Sequence, residues 1–270
     1  ESSIALRDQW HGKGRLRYAF APRFVPSCTE ELLRQTVAAA RGSGCLIHSH
    51  ASENVDEIAL VKHLTGMRNV EYLDSVGMTG PDVVLAHCIH LDGAEMDILA
   101  RSKTAIAHCP GSNFKLGSGI APIPELIARD AIVTLGADGA PCNNRMDMFA
   151  EMRLAALMQK PRLGPKALPA EVVLDMATLE GARVLGTGGG DIQPGNTADI
   201  IALEPDCAHS WGGGHPAGAV VYASTPSNIR HVWVEGDPVV VDGSIPCWNW
   251  EETVEGCRGA LRRLEERARR

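Results

Sequence analysis

From Leu16 onward, short runs of branched apolar residues alternate with longer stretches of helical periodicity. Strands fit Leu16–Phe20, Cys45–Ile47, Val83–Ala86, Thr104–Ala107 and Ile132–Leu135. Between them Leu32, Leu33, Val37 and Ala40 repeat on one face of Thr29–Arg41, and Asn54–Leu64 keeps the same period. Strand followed by helix, repeated, is the order of parallel β/α units. After Leu185 the pattern changes to glycine-rich turns and short β runs, Ile200–Leu203, Ala219–Tyr222, His231–Val234 and Pro238–Val241, ended by Gly243 and Pro246. From Trp250 to Arg270 the period is helical again, with Val254, Cys257, Leu261 and Leu264 on one face, which predicts a packing helix. The expected organisation is an α/β region over 1–186, a small β portion over 187–244 and a helical tail over 245–270. The chain opens on Glu1-Ser2-Ser3 rather than on Met, so a preceding segment is expected.

Polar residues gather just past the ends of the strands. Arg23 follows the first, His48 and His50 the second, His87 and His90 the third, His108 the fourth and Asp138 the fifth. A lone histidine is more often structural than functional. Repetition at successive strand ends points instead to the C-terminal rim of a parallel barrel, where catalytic groups collect. In Ile47-His48-Ser49-His50-Ala51-Ser52-Glu53, strand alternation sets both histidines on one face and Glu53 opens the next loop. A metal ligand and an acid–base carboxylate can therefore converge there; a polar strand end with a helix-capping acid is the plainer alternative. Asp138 ends a buried strand, where a carboxylate calls for a partner such as a cation. The loop from Gly111 to Gly119 lacks the GxxxxGK[ST] order of a phosphate-binding loop and reads as a tight rim loop.

Charge and composition narrow the partners. With 26 Lys+Arg against 33 Asp+Glu, a formal charge of -7, the chain has no electrostatic reason to bind nucleic acid or an anionic membrane, and a small neutral or cationic ligand suits it better. No apolar run approaches the roughly 20 residues that span a bilayer and no signal-peptide order is present, which places the expected location in the cytoplasm. Cys28, Cys45, Cys88, Cys109, Cys142, Cys207, Cys247 and Cys257 form no CxxC pair, so most are expected to be reduced and buried.

Four segments then become recognisable in order: His50-Ala51-Ser52-Glu53; Ala86-His87-Cys88; Ala107-His108-Cys109-Pro110-Gly111-Ser112-Asn113-Phe114-Lys115-Leu116-Gly117-Ser118-Gly119; and Leu135-Gly136-Ala137-Asp138-Gly139. Together with Glu151-Met152-Arg153-Leu154-Ala155, Met176-Ala177-Thr178 and Pro194-Gly195-Asn196-Thr197-Ala198-Asp199-Ile200 they resemble the amidohydrolase superfamily over nearly the whole chain. More narrowly they resemble its deaminase and chlorohydrolase branch, which includes guanine deaminase, the methylthioadenosine/adenosylhomocysteine and 5'-deoxyadenosine deaminases, and triazine hydrolases. The resemblance implies a distorted (β/α)8 TIM-type barrel of which this chain supplies the fourth to eighth strands, with part of a small β-sandwich and a C-terminal helix. It also implies one divalent metal, zinc ahead of iron, with His50 as third ligand and Asp138 as fourth. The other two ligands of the family, a His-x-His pair on the first strand, have no counterpart before Leu16, because His48-Ser49-His50 aligns with the fifth strand.

By the same resemblance Glu53 is the proton shuttle, Asp138 also accepts a proton from the attacking water, and His87 orients that water or polarises the ring. Arg23, Phe24, His90, His108 and Asn113 are candidates to face the substrate, with supporting roles as the alternative for His90 and His108. Ala21-Pro22-Arg23-Phe24 resembles guanine deaminase: arginine offers only donors, which suit the O6 and N7 acceptors of guanine, and Phe24 can stack on the ring. The implied function is hydrolytic deamination of a purine-like heterocycle, with a guanine-like substrate preferred. The alternatives are 5'-deoxyadenosine/methylthioadenosine/adenosylhomocysteine deamination, triazine-type chlorohydrolysis, and a non-catalytic binding module. The outer strands Leu16–Phe20 and Ile132–Leu135 leave open edges that invite association, so a homo-oligomer or a partner chain is expected.

Overall fold

The computed structural model describes residues 1–205 and 214–269; Cys207 lies outside them. Five strands, β1 (Ala19–Phe20), β2 (Leu46–Ala51), β3 (Val83–His87), β4 (Ala105–His108) and β5 (Val133–Leu135), pair in parallel and in chain order. Helices connect them, among them Glu30–Ser43, Val55–Thr65 and Gly93–Ser102. Sequential parallel pairing through helical crossovers makes this a section of a TIM-type barrel wall, with β1 and β5 as its edges. The helices start where the sequence supplies caps. Thr29 accepts from Leu32 N, Asn54 from Glu57 N and Asp92 from Glu95 N, each satisfying an amide that the first turn leaves without a partner.

One row across the sheet, Ser49, Leu85, Ile106 and Val133, is buried against the helices. Each fully buried Leu or Ile in this layer contributes about 1.5–3 kcal/mol. The neighbouring row, His50, Ala86, Ala107 and Thr134, lies on the opposite face, and its two alanines leave room for imidazole rings. β2 runs past the expected Cys45–Ile47 to Ala51, because it stays paired with β3 as far as Ala51 opposite His87. β1 is shorter than expected, since only Ala19 and Phe20 meet β2.

The expected strand Ala219–Tyr222 is instead part of a helix, Pro216–Tyr222. Pro216 presets its first turn, and Ala217 and Val221, four apart on one helical face, join the core together with Val173 and Met176 of the helix Ala170–Ala177. Local β preference in Val220-Val221-Tyr222 yields to that burial. A separate antiparallel sheet contains β6 (Ile200–Leu203), β7 (Ile229–Val234) and β8 (Asp237–Val240) in sequence order. Its β7–β8 turn places Glu235 at φ 52° and Gly236 at φ 85°, the two left-handed positions of a type I′ hairpin.

The tail forms the helix Trp250–Ala268, but no residue of it is buried, and Leu261 and Leu264 are 55% and 63% exposed. The face expected to pack has no counterpart surface among the described residues. Of the seven described cysteines, all are free, and only Cys45, Cys88 and Cys109 are buried. No helix among the described residues is long and apolar enough to cross a membrane.

Candidate active site

The alternation of β2 turns Ile47, Ser49 and Ala51 toward the helices and His48 and His50 to the other side, with their ring centroids 5.9 Å apart. His87 is paired with Ala51, so regular alternation would turn it toward the helices as well. It does not, because the backbone is left-handed at His87 (φ 72°) and Cys88 (φ 49°), and its ring stacks on His50 with centroids 5.4 Å apart. Ser52 (φ 54°) and Asp138 (φ 60°) follow the same rule at the ends of β2 and β5. A left-handed non-glycine residue costs on the order of 1–3 kcal/mol and persists only where surrounding contacts impose it. Here the Ser52 carbonyl accepts from Ile89 N and His90 N, both at 3.0 Å, and Cys88 N donates to Ala51 O at 3.0 Å.

Around this turn the chemistry-bearing groups converge. Glu53 Oε2 lies 3.9 Å from His87 Nε2, and Glu53 Oε1 accepts from Ser118 Oγ at 3.3 Å. Asp138 accepts from Ser112 Oγ and from Gly139 N, both at 2.6 Å. Burial works to raise the Asp138 carboxyl, but the Ser112 and Gly139 hydrogen bonds and the nearby His87 and His50 hold it below the ordinary aspartate value. His48 is lowered from its usual range by burial and then by the neighbouring His50 and His87, against an opposing pull from Asp138.

The remaining expected residues take varied places. His90 donates from Nε2 to Ser118 O at 2.8 Å and so anchors the rim loop that holds Glu53. His108 is fully buried, neither ring nitrogen has a partner among the described residues, and burial followed by the proximity of His87 pushes its pKa down to about 3. Asn113, also fully buried, meets His87 through its Oδ1. Arg23 is exposed, with its guanidinium 5.3 Å from the centre of the Phe24 ring. What it gives this rim is its carbonyl, which accepts from His50 N at 3.1 Å, His50 Nδ1 at 2.7 Å and Ser49 Oγ at 3.1 Å.

Four supporting residues have no role assigned from the sequence: Ser112, Ser118 and Glu151, which lie in the recognisable segments, and Glu57. Glu57 accepts the Glu53 backbone amide at 2.8 Å, and the capping signature Asn54-x-x-Glu57 is the signal that marks it. Glu151 accepts from Gly111 N and Asn143 Nδ2, both at 2.8 Å, and Asn143 Nδ2 also reaches Ala137 O at 2.7 Å. This carboxylate therefore clamps the loop after β4 to the loop that carries Asp138. A side chain at Gly111 would collide with it.

Burial is the largest influence on Glu151 and raises its pKa above the ordinary 4.5, against the hydrogen bonds from Asn143 and Gly111. A carboxyl raised in the folded state binds its proton more tightly there than in the unfolded chain. Its contribution to stability is thus complete below the unfolded value and is lost as pH rises through the folded one. Thermal melts of Glu151→Gln, which resembles the protonated group, are expected to lose less Tm than the unaltered chain as pH rises from about 4.5 toward neutrality. Parallel Tm–pH curves would contradict this.

The donor chemistry of the rim fits a divalent metal. His50 Nδ1–H donates to the Arg23 carbonyl, which leaves Nε2 as a bare lone pair, the usual arrangement of a metal-binding histidine with its second ring nitrogen tied to a carbonyl. The Asp138 carboxylate is held on both oxygens and keeps further lone pairs. Imidazole and carboxylate donors suit zinc. Among the described residues no group of three or more His, Cys, Asp or Glu is arranged to hold an ion.

The model of the Amidohydrolase family matches residues 3–239. A 5'-deoxyadenosine deaminase of Methanothermobacter thermautotrophicus is 43% identical over 86% of this chain and 54% of its own length. A 5-methylthioadenosine/S-adenosylhomocysteine deaminase of Desulfitobacterium hafniense is 42% identical over 87% of this chain and 55% of its own. The chain thus spans about half the length of these curated relatives. Among solved structures, a zinc-bound adenosine deaminase from Xanthomonas campestris superposes with a TM-score of 0.95 at 28% identity, covering 98% of this chain and 61% of that one. An atrazine chlorohydrolase from Arthrobacter aurescens with zinc gives 0.90 at 28% identity over 96% and 58%. An E. coli guanine deaminase gives 0.81 at 29% identity over 89% and 59%. With the family match running from the first helix to β8 and the strand ends of the barrel carrying the residues described above, the chain belongs to the amidohydrolase family.

Proposed function

We propose that this chain forms a large part of the catalytic rim of a metal-dependent hydrolytic deaminase acting on adenosine-type nucleosides such as 5'-deoxyadenosine and 5'-methylthioadenosine. The observation that carries the reading is the convergence of Glu53, His87 and His50 at one rim, with His87 3.9 Å from the Glu53 carboxylate and stacked on His50 at 5.4 Å. The names of the two relatives support the substrate class. They give no support to the guanine preference expected from Arg23 and Phe24. The geometry does not add any, since the Arg23 guanidinium lies over the Phe24 ring.

An aromatic amine is a poor leaving group, so the reaction needs an activated water and a protonated ring. His50 and Asp138 would help hold a divalent metal, zinc ahead of iron, which when bound would supply the first by lowering the pKa of water towards about 7. Asp138, held below the ordinary aspartate value, takes up the proton that the attacking water loses. Glu53 delivers a proton to the ring nitrogen beside the amino-bearing carbon, takes up the hydroxyl proton of the adduct and passes it to the departing ammonia as the C–N bond breaks, and is reprotonated by the proton that Asp138 took from the water. Ser118 and Glu57 fix that carboxylate from its side chain and its backbone. His87 completes the wall on the water side.

Ammonia release from 5'-deoxyadenosine, 5'-methylthioadenosine, adenosine and guanine, with chloride release from a chlorotriazine alongside, tests this assignment. The adenosine-type substrates are expected to be turned over fastest. Preferential turnover of guanine, or chloride release as the faster reaction, would overturn it.

A further inference from the structure

We infer that Asn113 is a positioning residue that fixes which nitrogen of His87 faces the reacting centre; this rests on the reading of His87 as part of the deaminase rim. The His87 side chain is only 1% exposed, so bulk water does not choose its tautomer. Its Nδ1 lies 2.9 Å from Asn113 Oδ1, and an amide oxygen only accepts, so the ring proton sits on Nδ1. In the neutral ring Nε2 is then a bare lone pair, and it is this nitrogen that points toward Glu53, 3.9 Å away. His50, stacked against it, is arranged in the same way, with Nδ1–H given to the Arg23 carbonyl. Both stacked rings therefore spend Nδ1 on the protein and keep Nε2 as an acceptor.

This decides between two services. A bare Nε2 takes a hydrogen bond from the attacking water and so aims the oxygen lone pair at the ring carbon. It has no proton to donate to a ring nitrogen or to the oxygen of an adduct. His87 in this tautomer orients water and does not polarise the heterocycle.

Asn113 is built for the task. It is fully buried in the helix Pro110–Lys115, its N–H donates to Cys109 O at 3.0 Å, and its carbonyl accepts from Ser118 N at 2.9 Å. Its Nδ2 has no partner among the described residues. A leucine of similar shape would leave no buried amide unsatisfied, so what this side chain contributes to the site is the oxygen on His87.

The test reads the tautomer and the kinetics separately. Imidazole ¹⁵N–¹H correlation spectra of the chain, taken where the ring is neutral, are expected to show His87 protonated at Nδ1. Asn113→Asp, which keeps an oxygen in place, is expected to preserve that signature and most of kcat. Asn113→Leu is expected to shift the proton toward Nε2 and to lower kcat about 10- to 100-fold, the usual range for losing a residue that orients a site histidine, with KM little changed. A wild-type ring protonated only at Nε2, an unchanged tautomer in Asn113→Leu, or equal kcat in the Leu and Asp variants would overturn the inference. The expected tautomer shifts in a protein that releases no ammonia from any nucleoside would uphold the positioning and overturn the deaminase reading instead.

Discussion

Glu53→Gln is expected to lower kcat for deamination of adenosine-type nucleosides by about 10²- to 10⁴-fold, the range that a positioned acid–base group contributes. Glutamine has the same length, and its Oε1 can keep the Ser118 hydrogen bond while the backbone amide stays on Glu57. What it cannot do is carry a proton to the ring nitrogen and on to ammonia. Metal content, measured by elemental analysis, is therefore expected to match that of the unaltered protein, because His50 and Asp138 are untouched. A variant within about threefold of full activity would remove Glu53 from the proton path. Loss of metal together with activity would place it among the ligands instead.

The second large effect is expected at Asp138. The residue has φ 60°, a conformation that asparagine tolerates and alanine does not, so Asp138→Asn separates the charge from the backbone shape. The amide oxygen can retain one of the hydrogen bonds from Ser112 and Gly139. The variant loses an anionic donor and the acceptor for the water proton together. Since a Lewis-acidic metal is worth several kcal/mol of barrier, kcat/KM is expected to fall on the order of 10³-fold or more, with zinc held far more weakly in a competition titration. Near-normal melting with lost zinc would show that the effect lies in the site. Retained zinc and retained turnover would exclude Asp138 from it.

Much of this was legible because parallel barrels write themselves twice, once in apolar runs and again in the residues that end them. β3, β4 and β5 start and stop within a residue of their expected bounds, His50 and His87 at the ends of β2 and β3 stack on each other, and both help to lower the pKa of Asp138 beyond β5. The sequence could not show how His87 reaches the site. Period-two alternation turns it away, and only the left-handed backbone at His87 and Cys88 brings it back. Nor could it pair Ser112 with Asp138 or Gly111 with Glu151, because those contacts join residues 26 and 40 positions apart across two loops. Val220-Val221-Tyr222 misled because branched and aromatic residues favour strands in isolation, whereas Pro216 and the burial of Ala217 and Val221 favour a helix. Arg23 was read through its guanidinium, yet the group it gives the site is a carbonyl that every residue type possesses.

Ammonia release from 5'-deoxyadenosine, followed as zinc is returned to chelator-treated protein, tests most directly whether His50, Glu53, His87 and Asp138 form a metal-dependent deaminase site. Activity is predicted to vanish on chelation, to return in proportion to bound zinc, and to stay absent from Asp138→Asn at the zinc levels that restore the unaltered protein. Turnover that survives full removal of metal, or that Asp138→Asn recovers on the same titration, would contradict that assignment.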